Sequence, residues 1–264
     1  MEFNWIFYLL LGLLGIICGI INILAGGGSN IILPLLMIFG LDPQTANATN
    51  RVGIWFQGMA GLFGFRRAKA LPTQDIGGIV LPTVCGALVG AVLAAKLDVI
   101  VAWLPFEQVS AEWLMKMILL GAMLFVAAMF LFKPQAVMHA PNTELSVKQS
   151  RAAWGWLFAA GLYGSFVQAG VGFVLLTALA GALHYDLRRA NALKLVCTML
   201  FTSIALGIFI WQGQVLWKVG LLLALGNSVG ALIGVRFALS ISQNSIRWIL
   251  FLMTVAAVIA ALWF

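Results

Sequence analysis

Long apolar runs separated by short polar stretches dominate this chain. In the first half they cover residues 4–24, 29–41, 46–65, 75–97 and 112–132, and in the second 154–169, 172–184, 190–211, 217–239 and 246–264. Most reach the roughly 18 to 20 residues that a helix needs to cross a bilayer, and no alternating ten-residue pattern predicts a barrel. The second run of each half is shorter, about 18 Å of helix against a hydrocarbon core of about 30 Å. Each such run predicts a half-helix, joined through a glycine cluster to the run before it. The pair would form a hairpin that enters and leaves the membrane on one side.

The two halves say the same thing twice. AGGGSN starts at Ala25 and AGVGF at Ala169. Gly170 follows Gly26 by 144 positions, as Gly172 follows Gly28, Asn191 follows Asn47 and Gly230 follows Gly86. Four unrelated landmarks in one register predict a first repeat over 1–132, a connector over 133–151 and a second repeat over 152–264. An insertion around 103–113 breaks the register before the last run of the first half. Internal repeats with Gly-interrupted segments in corresponding places point to a transporter and to its binding site.

Composition narrows the class. At 63% hydrophobic and 9% charged residues, with a mean hydropathy of +1.06, the chain lies far from the roughly 25% charge of soluble domains. It reads as an all-α integral membrane protein. The start, MEFNW, has an acid where a secretory leader carries positive charge, so retention of this segment is expected. Cys18, Cys85 and Cys197 lie within apolar runs without metal-ligand spacing and read as packing residues. No metal, cofactor or nucleic acid is expected, and the +7 charge reads as a code for orientation.

That code favours inversion. After its third run the first half has Arg66, Arg67 and Lys69, whereas the matching loop of the second half has only Lys218. Before that run the bias reverses, with GLDPQT in the first half against HYDLRR, containing Arg188 and Arg189, in the second. If basic loops are cytoplasmic, equivalent loops lie on opposite sides. The connector with Lys133, Lys148 and Arg151 is then cytoplasmic, as is Arg247, and both termini face outward. One hairpin and three crossings per repeat satisfy all these placements. The small residues at Gly86, Gly90, Gly226, Gly230 and Gly234 predict close helix packing.

Candidate chemistry gathers at the glycine tips. A half-helix beginning near Ser29 or Phe173 aims its positive dipole end and unpaired amides at the tip, which makes an anion site. Inversion would bring Gly26, Gly27 and Gly28 toward Gly170 and Gly172 near the midplane. Ser29, Asn30 and Gln168 sit beside the tips and either donate to a ligand or cap the backbone. Arg51 and Lys194 lie one or two turns inside the third run of each half. Charges at that depth mark a pathway or a buried partner, unless they snorkel to the interface. Asn50 is the positional equivalent of Lys194. The repeated Asn47 and Asn191 either cap their own helix or contact substrate. Gln57, whose equivalent is Phe201, would make the site asymmetric. No acid falls in the middle of an apolar run, His184 lies at a segment end, and no Walker A sequence is present. A negative interior alone would drive an anion outward by about 2.3 kcal/mol per charge per 100 mV.

The glycine break AGGGSNIILPLLM from Ala25, GLDPQTANATN from Gly40, the basic FRRAKAL turn from Phe65 and the weaker second copy from Gly155 to Phe264 resemble the sulfite exporter TauE/SafE family of membrane permeases. The chain departs from the commoner pattern at Ser29 and Asn30, and in having AGVGF for the second glycine cluster. The resemblance implies transport of sulfite or an organosulfonate across the bacterial inner membrane, typically as export. The leading expectation is a secondary transporter with the anion between two half-helix N-termini. An anion channel or a membrane-embedded sulfur-delivery component are the alternatives. Expected partners are a small anion and the lipid bilayer, and a homo-oligomer fits as well as a monomer.

Overall fold

A computed structural model describes residues 5–72, 76–103, 110–132 and 145–238, with positions 255, 259, 262 and 263. The expected last run over 246–264 with Arg247, the connector residues 133–144 with Lys133, and Asp75 and Glu107 lie outside the described residues, apart from those isolated positions. Helices follow in the order α1 (Trp5–Ala25), α2 (Ser29–Ile38), α3 (Pro43–Arg67), α4 (Ile76–Ala95), α5 (Leu97–Ala102) and α6 (Ala111–Phe132). After a 3-10 turn come α7 (Arg151–Phe166), α8 (Val171–Leu176), α9 (Leu187–Trp211) and α10 (Trp217–Phe237). A π-helical segment, Thr177–Ala182, extends α8. Among the described residues α1, α4, α9 and α10 are long and apolar enough to cross a membrane. At 25 residues, α3 is also long enough, but its start is rich in Asn and Thr.

Each hairpin folds back on itself. Gly28 lies against the Cys18 carbonyl of α1, and farther out the Phe39 ring, just past α2, meets Phe7 near the start of α1 at 4.7 Å. In the second half Leu145, ahead of α7, donates to the Leu183 carbonyl at the far end of the π-helical segment over 3.0 Å.

Several backbone landmarks recur at one spacing. The left-handed residues Gly26 and Gly170, Gly40 and His184, and Lys69 and Gly213 form three pairs, each 144 positions apart. Asp42 and Asp186 share that spacing and cap α3 and α9 through their side chains. Among the described residues, Gln168, with φ 68°, is the one left-handed position that has no partner in this register. Just ahead of the insertion in the first half stands the short helix α5, which the apolar pattern did not single out.

The halves interlock by exchange. The most extensive pairings are α1 with α10, α4 with α7 and α3 with α10. Gly226 and Gly230 lie against the carbonyls of Gly12 and Ile16, while Gly86 and Gly90 lie against those of Phe158 and Leu162. A methyl at any of these glycines would overlap the facing backbone, so the expected small-residue stripes do serve close approach. The order of these contacts makes α1 parallel to α10 and α4 parallel to α7. The equivalent helices α3 and α9 instead run antiparallel: Trp55 meets Ser203, Gly58 meets Met199 and Gly61 meets Leu195.

Candidate functional site

The tips meet where both chains turn. Gly26 and Gly172 approach so closely that a Cβ on either would fall on the Cα of the other, and Gly26 is also left-handed, with φ 75°. Two constraints at one residue select glycine. Gly28 caps the start of α2 without a side-chain bond, and Gly170 stands in the left-handed conformation before α8.

Against these tips lies a small cavity of about 10 Å³, to which each half contributes six residues, enough for roughly one water. From the first half come Asn22, Gly26, Ser29, Ile54, Gln57 and Gly58, and from the second Gln168, Val171, Gly172, Lys194, Leu195 and Thr198. Six expected site residues therefore converge here: Gly26, Ser29, Gln57, Gln168, Gly172 and Lys194. The others, Gly27, Gly28, Asn30, Asn47, Asn50, Arg51, Gly170 and Asn191, stand behind the wall.

Neither cation snorkels. Arg51 is fully buried and Lys194 is 2% exposed. The Arg51 guanidinium donates to the Gly164 carbonyl (3.0 Å), the Ser165 carbonyl (2.5 Å) and Gln168 Oε1 (2.7 Å), and its Cζ lies 5.1 Å from the Phe209 ring centre. The Lys194 ammonium donates to the Asn22 and Ile23 carbonyls, at 3.1 and 3.0 Å, and to Asn191 Oδ1 at 2.7 Å. Each cation thus caps the last turn of the other half's first hairpin helix, where free carbonyls concentrate negative partial charge. Arg51 closes α7, and Lys194 closes α1.

The paired asparagines do not cap their own helices. Asp42 and Asp186 already cap α3 and α9. Asn47 Nδ2 instead donates to the Phe166 carbonyl at the end of α7, over 2.9 Å, and Asn191 accepts from Lys194. Asn47 therefore braces the opposite hairpin directly, and Asn191 does so only through Lys194. Asn50 donates to Ser29 Oγ at 3.0 Å. Asn30 points away toward the Met123 carbonyl, at 3.5 Å.

Polar side chains connect the wall. Asn22 donates to Gln57 Oε1 at 3.2 Å, and Gln168 Nε2 to Thr202 Oγ1 at 3.2 Å. Where Gln57 lines the cavity, its equivalent Phe201 packs its ring on Gly164, so the wall is chemically asymmetric. The sequence reading missed Asn22, Thr198 and Thr202. Asn22 signals itself as an amide one turn ahead of Gly26 in an apolar helix, and Thr198 lies one turn beyond Lys194 on the same face. None of the three cysteines lines the cavity, and Cys18 and Cys197 are buried elsewhere.

A family model described as sulfite exporter TauE/SafE matches residues 11–261. A probable membrane transporter protein of Haemophilus influenzae is 26% identical over 258 residues, covering 95% of this chain and 94% of that protein. Another from a Sinorhizobium species, ORF9, is 28% identical over 249 residues (93% and 88%). The probable membrane transporter YfcA of Escherichia coli is 27% identical over 258 residues (93% and 88%). No solved structure matches. Covered almost end to end by that model, with glycine-broken hairpins that touch between two interlocked halves, the chain belongs to the sulfite exporter TauE/SafE family of membrane permeases.

Proposed function

We propose that this protein is a secondary transporter for a small oxyanion, sulfite or an organosulfonate, and that it exports this anion across the bacterial inner membrane. The carrying observation is electrostatic: Arg51 and Lys194 are buried, and no Asp or Glu whose side chain is described is. Buried charge without an opposite partner is strongly disfavoured. The carbonyl ends of α7 and α1 offset about half an elementary charge each, and the N-terminal ends of α2 and α8 return about as much. An excess of roughly two positive charges then surrounds the tips, which suits a ligand with one or two negative charges.

In this reading the anion binds between the two half-helix N-termini, near the midplane of two inverted repeats. Antiparallel α3 and α9 support inversion, and the reciprocal pairing of α1 with α10 and of α7 with α4 supports a two-fold relation. Asn30 and Phe173 amides already bond back to Gly27 and Gly170, so Ser29 and Gly172, which line the cavity, supply the amides assigned to the ligand. Lys194, Gln57, Gln168 and Thr198 would complete its shell. The cavity has room for only about one water, so this conformation is read as closed, and transport requires the tips to part.

The test is sulfite efflux from proteoliposomes containing the purified full-length protein. Saturable efflux that Lys194→Met abolishes is expected. Absence of flux, or equal flux in the variant, overturns the reading. A thermal-shift screen of sulfite, sulfate, thiosulfate, taurine, sulfoacetate and carboxylates ranks the substrates, because a ligand of the native fold raises its stability. Stabilisation by carboxylates alone removes sulfur from the proposal.

A further inference from the structure

We propose a second anion-binding feature, remote from the tips: a groove between the ends of α3 and α10 that holds the phosphate of an anionic glycerophospholipid. The groove measures about 490 Å³ and is lined by Phe63, Gly64, Arg67, Leu232 and Arg236, among others. Because α3 and α10 run parallel, Arg67 and Arg236, in the last turns of their helices, stand at the same end of the molecule. Both are exposed, and neither forms a salt bridge among the described residues. Arg188 reinforces the charge at the rim, where its guanidinium donates to the Ala68 carbonyl at 2.9 Å.

The surroundings decide the class of ligand. Arg66, Arg67, Lys69, Arg188, Arg189 and Arg236 gather at this end, and among the described residues the acid beside them, Asp186, is engaged by Arg189 at 3.4 Å. Basic ends of membrane helices face the cytoplasm, whose leaflet carries the anionic lipids and attracts such charge. Below the arginines the wall turns apolar and open, with Phe63 64% and Leu232 46% exposed. A soluble oxyanion would leave that part unused. A phospholipid fills both, with its phosphate between two guanidinium groups and its first acyl carbons against Phe63 and Leu232. Gly64 brings the two helices together beneath the groove, where a Cβ on it would press on the Val235 side chain.

Native mass spectrometry of the detergent-solubilised full chain, offered equal amounts of phosphatidylglycerol and phosphatidylcholine, tests this directly. Retention of phosphatidylglycerol is expected to exceed that of phosphatidylcholine by about tenfold in the unaltered protein and to lose that preference in R67Q/R236Q. K218Q, at the opposite end of α10, should keep it. A second measurement needs no variant: phosphatidylglycerol should raise the unfolding midpoint of the unaltered protein, and neither phosphatidylcholine nor inorganic phosphate should. Equal retention of the two lipids, unchanged preference in R67Q/R236Q, or full stabilisation by inorganic phosphate overturns the proposal.

Discussion

Gly26 and Gly172 touch backbone to backbone, and each occupies the space a side chain on the other would need. Gly172→Ala should therefore push the tips apart, lowering stability by about 1–3 kcal/mol as overpacking does and weakening anion binding in parallel. Gly77→Ala and Gly207→Ala, where an added methyl meets nothing within 4 Å, should leave both unchanged. Thermal unfolding with and without sulfite reads the two effects separately.

Lys194 and Arg51 should respond differently to replacement. Lys194 lines the cavity, so Lys194→Met is expected to abolish sulfite-dependent stabilisation; in the ligand-free protein the relief of an uncompensated buried charge offsets the lost caps on the Asn22 and Ile23 carbonyls, and the fold should persist. Arg51 lies one hydrogen bond behind and spreads its donors over three acceptors. A lysine lacks that planar fork, so Arg51→Lys should destabilise the ligand-free protein, with a fall in unfolding midpoint as the measurement.

Gln57 is the source of the site's asymmetry. Gln57→Leu leaves the Asn22 amide without its acceptor, a cost of about 1–3 kcal/mol for a buried polar group. Asn22→Leu combined with Gln57→Leu removes both partners and should recover much of that stability. Anion affinity should stay reduced in the double variant, a split that parallel denaturation and binding titrations would reveal.

The exchange of helices predicts matched effects at matched glycines. Gly86 meets the Phe158 carbonyl and Gly230 the Ile16 carbonyl. Gly86→Val and Gly230→Val should each destabilise by more than about 2 kcal/mol, and by similar amounts. A large loss at one site with none at the other would show that the two contacts are unequal.

Much of this arrangement was legible from spacing alone. Gly26, Gly172 and the Gly86 and Gly230 stripes stood out because glycine in an apolar helix requires a reason, and the shared register tied the halves together. The depth of Arg51 and Lys194 was equally plain, but their destinations were not. A sequence shows that a cation lies inside an apolar run, not whether it stays buried or which carbonyls it will find, and these lie 113 and 171 positions away at Gly164 and Ile23. The partner of Asn47 was hidden for the same reason: its acceptor belongs to the other half. Asn22 and Thr198 were hidden by the apolar runs around them, and the positive φ of Gln168 follows from tertiary contacts that no local pattern records.

The reciprocal capping also has a consequence in time. A ribosome adds about 5–20 residues per second, so Arg51, whose carbonyl acceptor at Gly164 is 113 residues downstream, waits about 6 to 23 s for it. During that interval a guanidinium destined for the interior has no native partner. Newly made first halves are thus obliged to borrow water, lipid phosphate or a chaperone until α7 is inserted, and a nonsense mutation in the connector would strand them there.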